Sequence, residues 1–189
     1  MPHPGLQGIQ IDPTHNMTAQ SDTAPPPFPA VRHDHARCMQ DAFERAERVC
    51  RSRGTRLTDL RRAVLQIVWE SHNPIGAYDI LDRLREAGRK AAPVTVYRTL
   101  DFLMANRLVH RLASQNAYLG CDHPEETHRA QFFICRGCGV AGEVHDDAIA
   151  AAIARSAEET GFRIEAPVVE ITGLCPGCRP SGRRETHDR

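Results

Sequence analysis

The chain has 189 residues, of which 41% are hydrophobic and 25% are charged, and its 24 basic side chains balance its 24 acidic ones. This composition is typical of an ordinary soluble protein, and we find no apolar run long enough to cross a membrane. Seven cysteines, an odd number, in a chain without a stretch that resembles a signal peptide argue against a secreted disulfide framework. We therefore expect a reducing, cytoplasmic environment.

The balanced net charge hides an asymmetry between two parts of the chain. Residues 51–112 hold twelve Arg or Lys and six Asp or Glu, a net charge of +6. Residues 113–189 hold eight and twelve, a net charge of −4. The basic part favours a polyanionic partner, although scattered solvated arginines would give the same count.

The N-terminal region predicts a tail followed by a helix. Residues 1–36 are rich in proline and have little apolar periodicity, which is typical of a disordered tail. A helix is expected from Ala36 to Arg53, where Gly54 ends it. Cys38 and Cys50 on this helix fit no metal pattern, and we interpret them as structural or inert thiols.

Three short helices are predicted next, each with a boundary signal. Thr58 is suited to cap a helix that ends before Asn73-Pro74. A second helix begins near Ala77 and stops at Gly88, and Pro93 suits the first turn of a third. Each of the three carries an apolar stripe at helical spacing. Two short extended runs, 108–112 and 117–121, then flank a turn at 114–116 and predict a β-hairpin.

Three helices followed by a hairpin is the element order of a winged helix-turn-helix, which places its recognition helix in the major groove of DNA. At about 100° per residue, Arg98 points away from the apolar stripe of the third helix, with Thr95 and Tyr97 beside it. Each of these residues is also compatible with an ordinary surface position. The candidate DNA-contacting residues are Tyr78, Thr95, Tyr97, Arg98 and Arg61.

The C-terminal part predicts a small α/β unit. Strands are expected at 131–135, 140–144 and 168–174. Asp146 is suited to cap a helix that Gly161 ends. Beyond Pro180 the chain is polar, and we expect a flexible tail at 181–189.

Two Cys-x-x-Cys pairs frame this unit, and four thiolates are the ligand set of a closed tetrahedral zinc site. A glycine in each pair lets the backbone turn tightly enough for two sulfurs to reach one ion. A thioredoxin-like redox pair would need a βαβ context, which neither pair has. Zinc is thus favoured over redox, disulfide or simply buried cysteines. The ligands are Cys135, Cys138, Cys175 and Cys178.

Over roughly residues 38–180 the chain resembles the ferric uptake regulator superfamily, and within it most closely the zinc-responsive branch. The matching motifs are RLT at 56–58, AYDIL at 77–81, PVTVYRTLDFL at 93–103, FICRGCG at 133–139 and GLCPGC at 173–178. The combination is more specific than any one of these motifs.

The resemblance implies a bacterial, cytoplasmic, homodimeric repressor that binds double-stranded operator DNA when loaded with zinc and represses zinc-uptake genes. The implied fold is α/β (α+β), with a winged-helix DNA-binding domain at 37–121, a hinge at 122–130 and a dimerisation domain at 131–180. Phe133, Val169 and Ile171 would pair across the two-fold axis. Two zinc ions per subunit are expected, one structural and one regulatory, with no organic cofactor, no membrane association and no enzymatic activity.

The resemblance also marks a regulatory zinc site, formed by His110, Cys121, His128 and Glu143. From spacing alone, these residues are equally typical of surface histidines, a buried thiol and a strand-end carboxylate. A thiolate among nitrogen and oxygen ligands suits zinc better than iron. Iron-type relatives typically have a histidine-rich run where this chain has only Cys121-Asp122-His123. Asp122, His123 and His145 remain as alternative or additional ligands.

Three alternatives stay open. An iron- or peroxide-responsive regulator of the same superfamily is one, and a redox-controlled zinc protein is another. A zinc hydrolase or deaminase is the third, but the deaminase signature His-x-Glu with Pro-Cys-x-x-Cys is absent from the sequence.

Overall fold

The computed structural model describes residues 34–126, 128, 130–165 and 167–179. The predicted tails at 1–36 and 181–189 therefore lie almost wholly outside the described residues. Within those residues the chain forms five helices and six short strands. The helices are α1 (His35–Ser52), α2 (Asp59–Trp69), α3 (Ala77–Glu86), α4 (Pro93–Ala105) and α5 (Asp147–Glu159). The strands are β1 (Ile75–Gly76), β2 (Val109–Leu112), β3 (Ala117–Gly120), β4 (Gln131–Cys135), β5 (Ala141–Val144) and β6 (Val169–Gly173).

Helix α1 forms where the sequence predicts it, one residue earlier at its start. The Asp34 carboxylate caps it by accepting the Arg37 N–H at 3.2 Å. At the other end, Gly54 has a φ of +62°, the left-handed conformation that glycine adopts without strain. The buried face carries Cys50, which is part of the core, whereas Cys38 is half-buried. Helix α1 thus covers one side of the helical domain.

Helices α2, α3 and α4 pack together as the predicted trio. Their apolar stripes bury Val64, Ile80 and Leu100 completely. Pro93 occupies the first turn of α4, as predicted. Thr58 stands at the start of α2, but its side chain makes no capping hydrogen bond. The core, rather than that cap, therefore holds the start of α2.

The predicted hairpin is confirmed as β2 and β3, antiparallel with His110 opposite Leu119. Asn116 in its turn has a φ of +48°, which asparagine tolerates better than most residues. Strand β1 pairs with the other edge of β3, giving the sheet order β1-β3-β2. Strand β1 was not predicted, because a strand of two residues has no detectable periodicity. We call β2, β3 and their turn the wing.

Gly120 on the wing makes a testable contact with Trp69 of α2. A Cβ atom at this position would overlap the buried Trp69 indole ring. Because both backbone and ring are fixed by packing, Gly120→Ala should lower the free energy of unfolding by about 2 kcal/mol. Urea unfolding measures the loss. Gly173→Ala on β6 is the matched control, since no heavy atom lies within 4 Å of its added Cβ. Equal stabilities of the two variants would contradict this packing.

The C-terminal unit is a three-stranded sheet of order β5-β4-β6 with α5 in the β5–β6 connection. Strand β4 is antiparallel to β5 and parallel to β6. A parallel pair requires a crossover, which α5 provides. Asp146 caps α5 by accepting the Ala148 N–H at 2.7 Å, as predicted.

The wing packs against the C-terminal sheet through a second, smaller core. It consists of Leu112 and Leu119 from the wing and Phe132, Ile134 and Ala141 from the sheet. A backbone hydrogen bond from the Ala141 N–H to the His72 carbonyl, 3.1 Å long, adds a further link between the two domains. The His110 ring lies beside this core, 5.2 Å from the Phe132 ring between centroids.

Candidate metal centres

The four cysteines of the two Cys-x-x-Cys pairs lie together at the end of the C-terminal sheet. Their sulfur atoms all lie within 4.8 Å of one another. Cys135 ends β4, and the last residue of β6, Gly173, is its register partner. The parallel pairing of β4 and β6 therefore brings the two Cys-x-x-Cys pairs together, although Cys138 and Cys175 are 37 residues apart in the chain.

This geometry fits a tetrahedral zinc ion. Sulfurs bonded to one zinc at about 2.3 Å lie about 3.8 Å apart, and Cys138 Sγ lies 3.8 Å from Cys175 Sγ. The Cys135 sulfur also accepts the N–H groups of Cys175 at 3.3 Å and Gly137 at 3.4 Å. These bonds, led by the one from Cys175, lower the pKa of Cys135 to about 6 and favour its thiolate. The pKa of Cys178 rises to about 12, chiefly through its hydrogen bond with Cys138, as expected where thiols share protons.

The second cluster joins the wing, the segment between the two sheets and the C-terminal sheet. His110 comes from β2, Cys121 directly follows β3, and Glu143 comes from β5. His128 belongs to the segment between the two sheets. The four ligand atoms lie within 4.8 Å of one another, so the structure brings together the whole set that the resemblance implied.

Distances within this cluster match ligands of one ion. His128 Nε2 lies 3.4 Å from His110 Nε2 and 3.5 Å from Cys121 Sγ. Ligands bonded to one tetrahedral zinc lie about 3.4 to 3.6 Å apart. The Glu143 Oε1 atom is slightly nearer, at 2.8 Å from His128 Nε2 and 3.1 Å from His110 Nε2.

The protonation pattern explains why a cation suits this cluster. His128 Nδ1 lies 3.1 Å from the Glu126 carbonyl, an acceptor, so the neutral ring carries its proton on Nδ1 and turns a lone pair on Nε2 toward Glu143. The Glu143 side chain is only 1% exposed, and no donor among the described residues satisfies hydrogen-bond geometry at Oε1. Buried lone pairs that face one another repel unless a cation or a proton lies between them.

The net pKa shifts of two ionisable groups in this cluster have opposite signs. Burial, followed by the Glu143 charge, raises the pKa of the Cys121 thiol far above its usual range. Burial, the largest single influence, also acts to raise the pKa of Glu143, but the combined interactions with His110, the Asp122 N–H and His128 outweigh it, and the net shift is downward. Cys121 is therefore neutral until a cation replaces its proton, so metal binding must release that proton.

The alternative ligands surround this cluster without joining it. The Asp122 N–H donates to Glu143 Oε2 at 3.2 Å and helps to orient the carboxylate. His145 Nε2 lies 3.5 Å from Glu143 Oε1, and its ring contacts that of His123 at 5.1 Å between centroids. Burial lowers the pKa of His145. Among the described residues only the two four-residue groups bring their ligand atoms together.

The candidate DNA-contacting residues take two different positions. Tyr78 is 66% exposed, and Tyr97 and Arg98 are exposed near the start of α4. Thr95 is half-buried. Arg61 instead lies against the protein, with its guanidinium 3.3 Å from the Phe102 ring centroid and its Nη1 donating to the Arg56 carbonyl at 2.6 Å. Val94, which the sequence did not mark as a candidate, is also exposed at the start of α4.

The chain matches a model of the ferric uptake regulator family over residues 52–172. It is 39% identical over 142 residues to the zinc uptake regulation protein of Escherichia coli K12, which covers 74% of this chain and 82% of that protein. The zinc uptake regulation protein of Mycobacterium tuberculosis H37Rv is 31% identical, over 67% of this chain and 96% of that protein.

The solved structures that resemble this chain include zinc uptake regulators as well. A zinc uptake regulator in complex with zinc and DNA superposes with a TM-score of 0.69 at 38% identity, over 74% of this chain and 94% of that one. The holo form of XcZur has a TM-score of 0.67 at 41% identity, over 74% and 97%. None of the helices in the described part of the chain is long and apolar enough to span a membrane. The chain belongs to the ferric uptake regulator family, and within it to the zinc uptake regulator branch.

Proposed function

We propose that the chain is a dimeric, zinc-responsive repressor that binds operator DNA and controls zinc-uptake genes in the bacterial cytoplasm. It is not an enzyme, and it carries two zinc ions per subunit. Two relatives support zinc and DNA as ligands: the similar regulator bound to both, and the E. coli zinc uptake regulation protein. The observation that carries the proposal is the origin of the second cluster's ligands, which come from the wing, the hinge and the C-terminal sheet.

The two clusters have different tasks. Cys135, Cys138, Cys175 and Cys178 hold a structural zinc that ties β4 to the segment after β6. Four thiolates around a divalent cation leave a net charge of −2, and such sites contribute on the order of 10 kcal/mol to folding. This site stays occupied as part of the fold.

His110, Cys121, His128 and Glu143 form the regulatory site. One thiolate, one carboxylate and two neutral imidazoles balance the charge of a zinc ion, a weaker set than four thiolates. The cluster is complete only while the wing packs against the C-terminal sheet. Zinc supplies the positive charge that lets these lone pairs converge, so occupancy of this site favours one fixed orientation of the two domains.

That orientation matters because repressors of this kind read DNA as dimers. Recognition helices of a two-fold dimer must meet half-sites about 34 Å apart, or a multiple of that spacing. The β4–β6 region supplies a surface for the second subunit, since Val168 and Ile171 are exposed. The domain orientation then sets the spacing of the two α4 helices.

Operator binding titrated with zinc and with ferrous iron, separately and in buffered solutions, tests the proposal. We expect a mobility shift on a palindromic operator at low free zinc, and none at the same concentration of ferrous iron. A mobility shift that appears with ferrous iron and not with zinc would show that the protein is an iron-responsive regulator. Operator binding that responds to thiol oxidants at constant zinc would favour a redox-controlled protein.

Arg98 is expected to supply one base-edge contact from α4. Because a good bidentate arginine contact contributes about 1 to 3 kcal/mol, Arg98→Ala should weaken operator binding by about 5- to 150-fold. Zinc affinity and dimerisation should not change. Arg155→Ala on α5 is the charge-matched control. Fluorescence anisotropy with labelled operator measures both variants, and equal affinities would remove Arg98 from the DNA interface.

A further inference from the structure

Three neighbouring side chains form a row across one face of the C-terminal sheet. In the register, Phe132 on β4 lies opposite Glu143 on β5 and opposite Glu170 on β6. Side chains at paired positions point to the same face of a sheet. The row is therefore Glu143, Phe132, Glu170, with a carboxylate on each side of an aromatic ring.

The wing lies across this row. Glu143 meets His110 at one end of β2, and Phe132 packs on the His110 ring, 5.2 Å between centroids, and on the second core. Adjacent strands are about 4.8 Å apart, so the outer members of the row stand about 10 Å apart. Three residues of extended chain span about the same distance, which brings Ala113 to Glu170.

Glu170 binds the turn of the wing through two hydrogen bonds. Its Oε1 accepts the Ala113 N–H at 2.6 Å, and its Oε2 accepts the Ser114 N–H at 3.1 Å. Both oxygens of the carboxylate are thus engaged with consecutive backbone donors, a charge-assisted and geometrically defined contact. Burial acts to raise the pKa of Glu170, but the hydrogen bonds from Ser114 and Ala113 together lower it by more. The net pKa is therefore below the usual range, and the carboxylate stays charged near neutral pH.

We propose that Glu170 is a positioning residue, a latch that holds the wing on the C-terminal sheet from the side opposite the regulatory site. The inference rests on the proposed function and adds a second anchor to it. The wing carries His110 on β2, and Cys121 directly follows β3, so a latched wing presents both ligands to Glu143 before zinc arrives. The latch lowers the cost of ordering the two domains, and zinc binding in turn strengthens the latch.

Two variants of Glu170 and one control test the latch. Glu170→Ala removes both acceptors, and Glu170→Gln keeps the shape with one neutral acceptor in place of two charged ones. Glu159→Ala removes an exposed carboxylate from α5 in the same domain. Thermal melts and zinc content check that each variant keeps its fold and its four-thiolate ion.

The first readout needs no DNA. Chelator competition should show that Glu170→Ala weakens the regulatory site about tenfold, equivalent to about 1.4 kcal/mol, with Glu170→Gln in between and Glu159→Ala unchanged. Amide exchange at Ala113 and Ser114 should accelerate in the Glu170 variants and slow on zinc addition in the wild type. Unchanged zinc affinity or unchanged exchange in Glu170→Ala would overturn the latch.

Operator binding separates the latch from the proposed function. With Glu170→Ala, half-maximal binding should need about tenfold more free zinc, while affinity at saturating zinc stays within about threefold of wild type. If operator affinity instead fell by about tenfold even at saturating zinc, Glu170 would be a DNA-contacting or purely structural residue, and the latch would also be overturned. If the wild type bound operator equally well with and without zinc, the proposed function would be wrong. The zinc affinity and the amide exchange rates of the Glu170 variants would still test the latch.

Discussion

Replacing Cys121 by serine is expected to abolish zinc-dependent operator binding while leaving the four-thiolate ion and the dimer intact. Serine keeps the size of the side chain but has no thiolate to give to zinc, so the regulatory site retains two imidazoles and a carboxylate. Zinc affinity at this site should fall by more than about 100-fold. Cys121 is buried and belongs to the ligand group of Glu143, not to the group of four sulfurs, so the structural site does not need it.

Mobility shifts across buffered zinc and metal stoichiometry on the same sample measure this effect. The variant should hold one zinc per chain and fail to shift the operator at zinc concentrations that saturate the wild type. Cys38→Ser is the matched control, because this half-buried thiol lies outside both clusters. Loss of the dimer or of the four-thiolate ion in Cys121→Ser would show that the division of tasks between the two sites is wrong.

Removing the structural ion is expected to have a larger effect on the fold. Cys138 is the best position, since its side chain is exposed and Cys138→Ser changes little packing. A structural zinc contributes on the order of 10 kcal/mol, as much as the whole stability of a typical domain. The C-terminal sheet should therefore unravel at the β4 and β6 ends, and dimerisation and operator binding should disappear together.

Circular dichroism melts, sedimentation and zinc content test this result. The variant should be monomeric and lose a cooperative transition, while the helical signal of α1 to α4 persists because those helices have their own core. A variant that dimerises and melts like the wild type would show that the four cysteines do not hold a structural ion. Cys38→Ser again serves as the control.

Local sequence signals predicted the helical domain well. The apolar stripes of α2, α3 and α4 and the stops at Gly54 and Gly88 are local features, and the structure has them where they were expected. The two Cys-x-x-Cys pairs also form a local signal, and the pairing of β4 with β6 brings them together. Strand β1 was missed because its hydrogen bonds to β3, not its own sequence, define it.

The contacts between the domains were harder to predict. Spacing gave no reason to group His110, Cys121, His128 and Glu143, and only the family resemblance suggested them. Glu170 carries no signal at all, because its partners are backbone N–H groups 56 and 57 residues away. The position of Arg61 on the Phe102 ring likewise depends on how α2 packs against α4. These features belong to the tertiary arrangement, which periodicity and motif spacing do not encode.

The operator affinity of the chain with one zinc and with two zincs per subunit tests the central claim most directly. A chelator strong enough to empty the regulatory site but too weak for four thiolates yields the first form, and added zinc restores the second. We predict that the one-zinc form remains a dimer and binds operator about 100-fold more weakly, near the upper end of typical allosteric couplings. Equal affinities of the two forms would contradict the claim that occupancy of the regulatory site controls DNA binding.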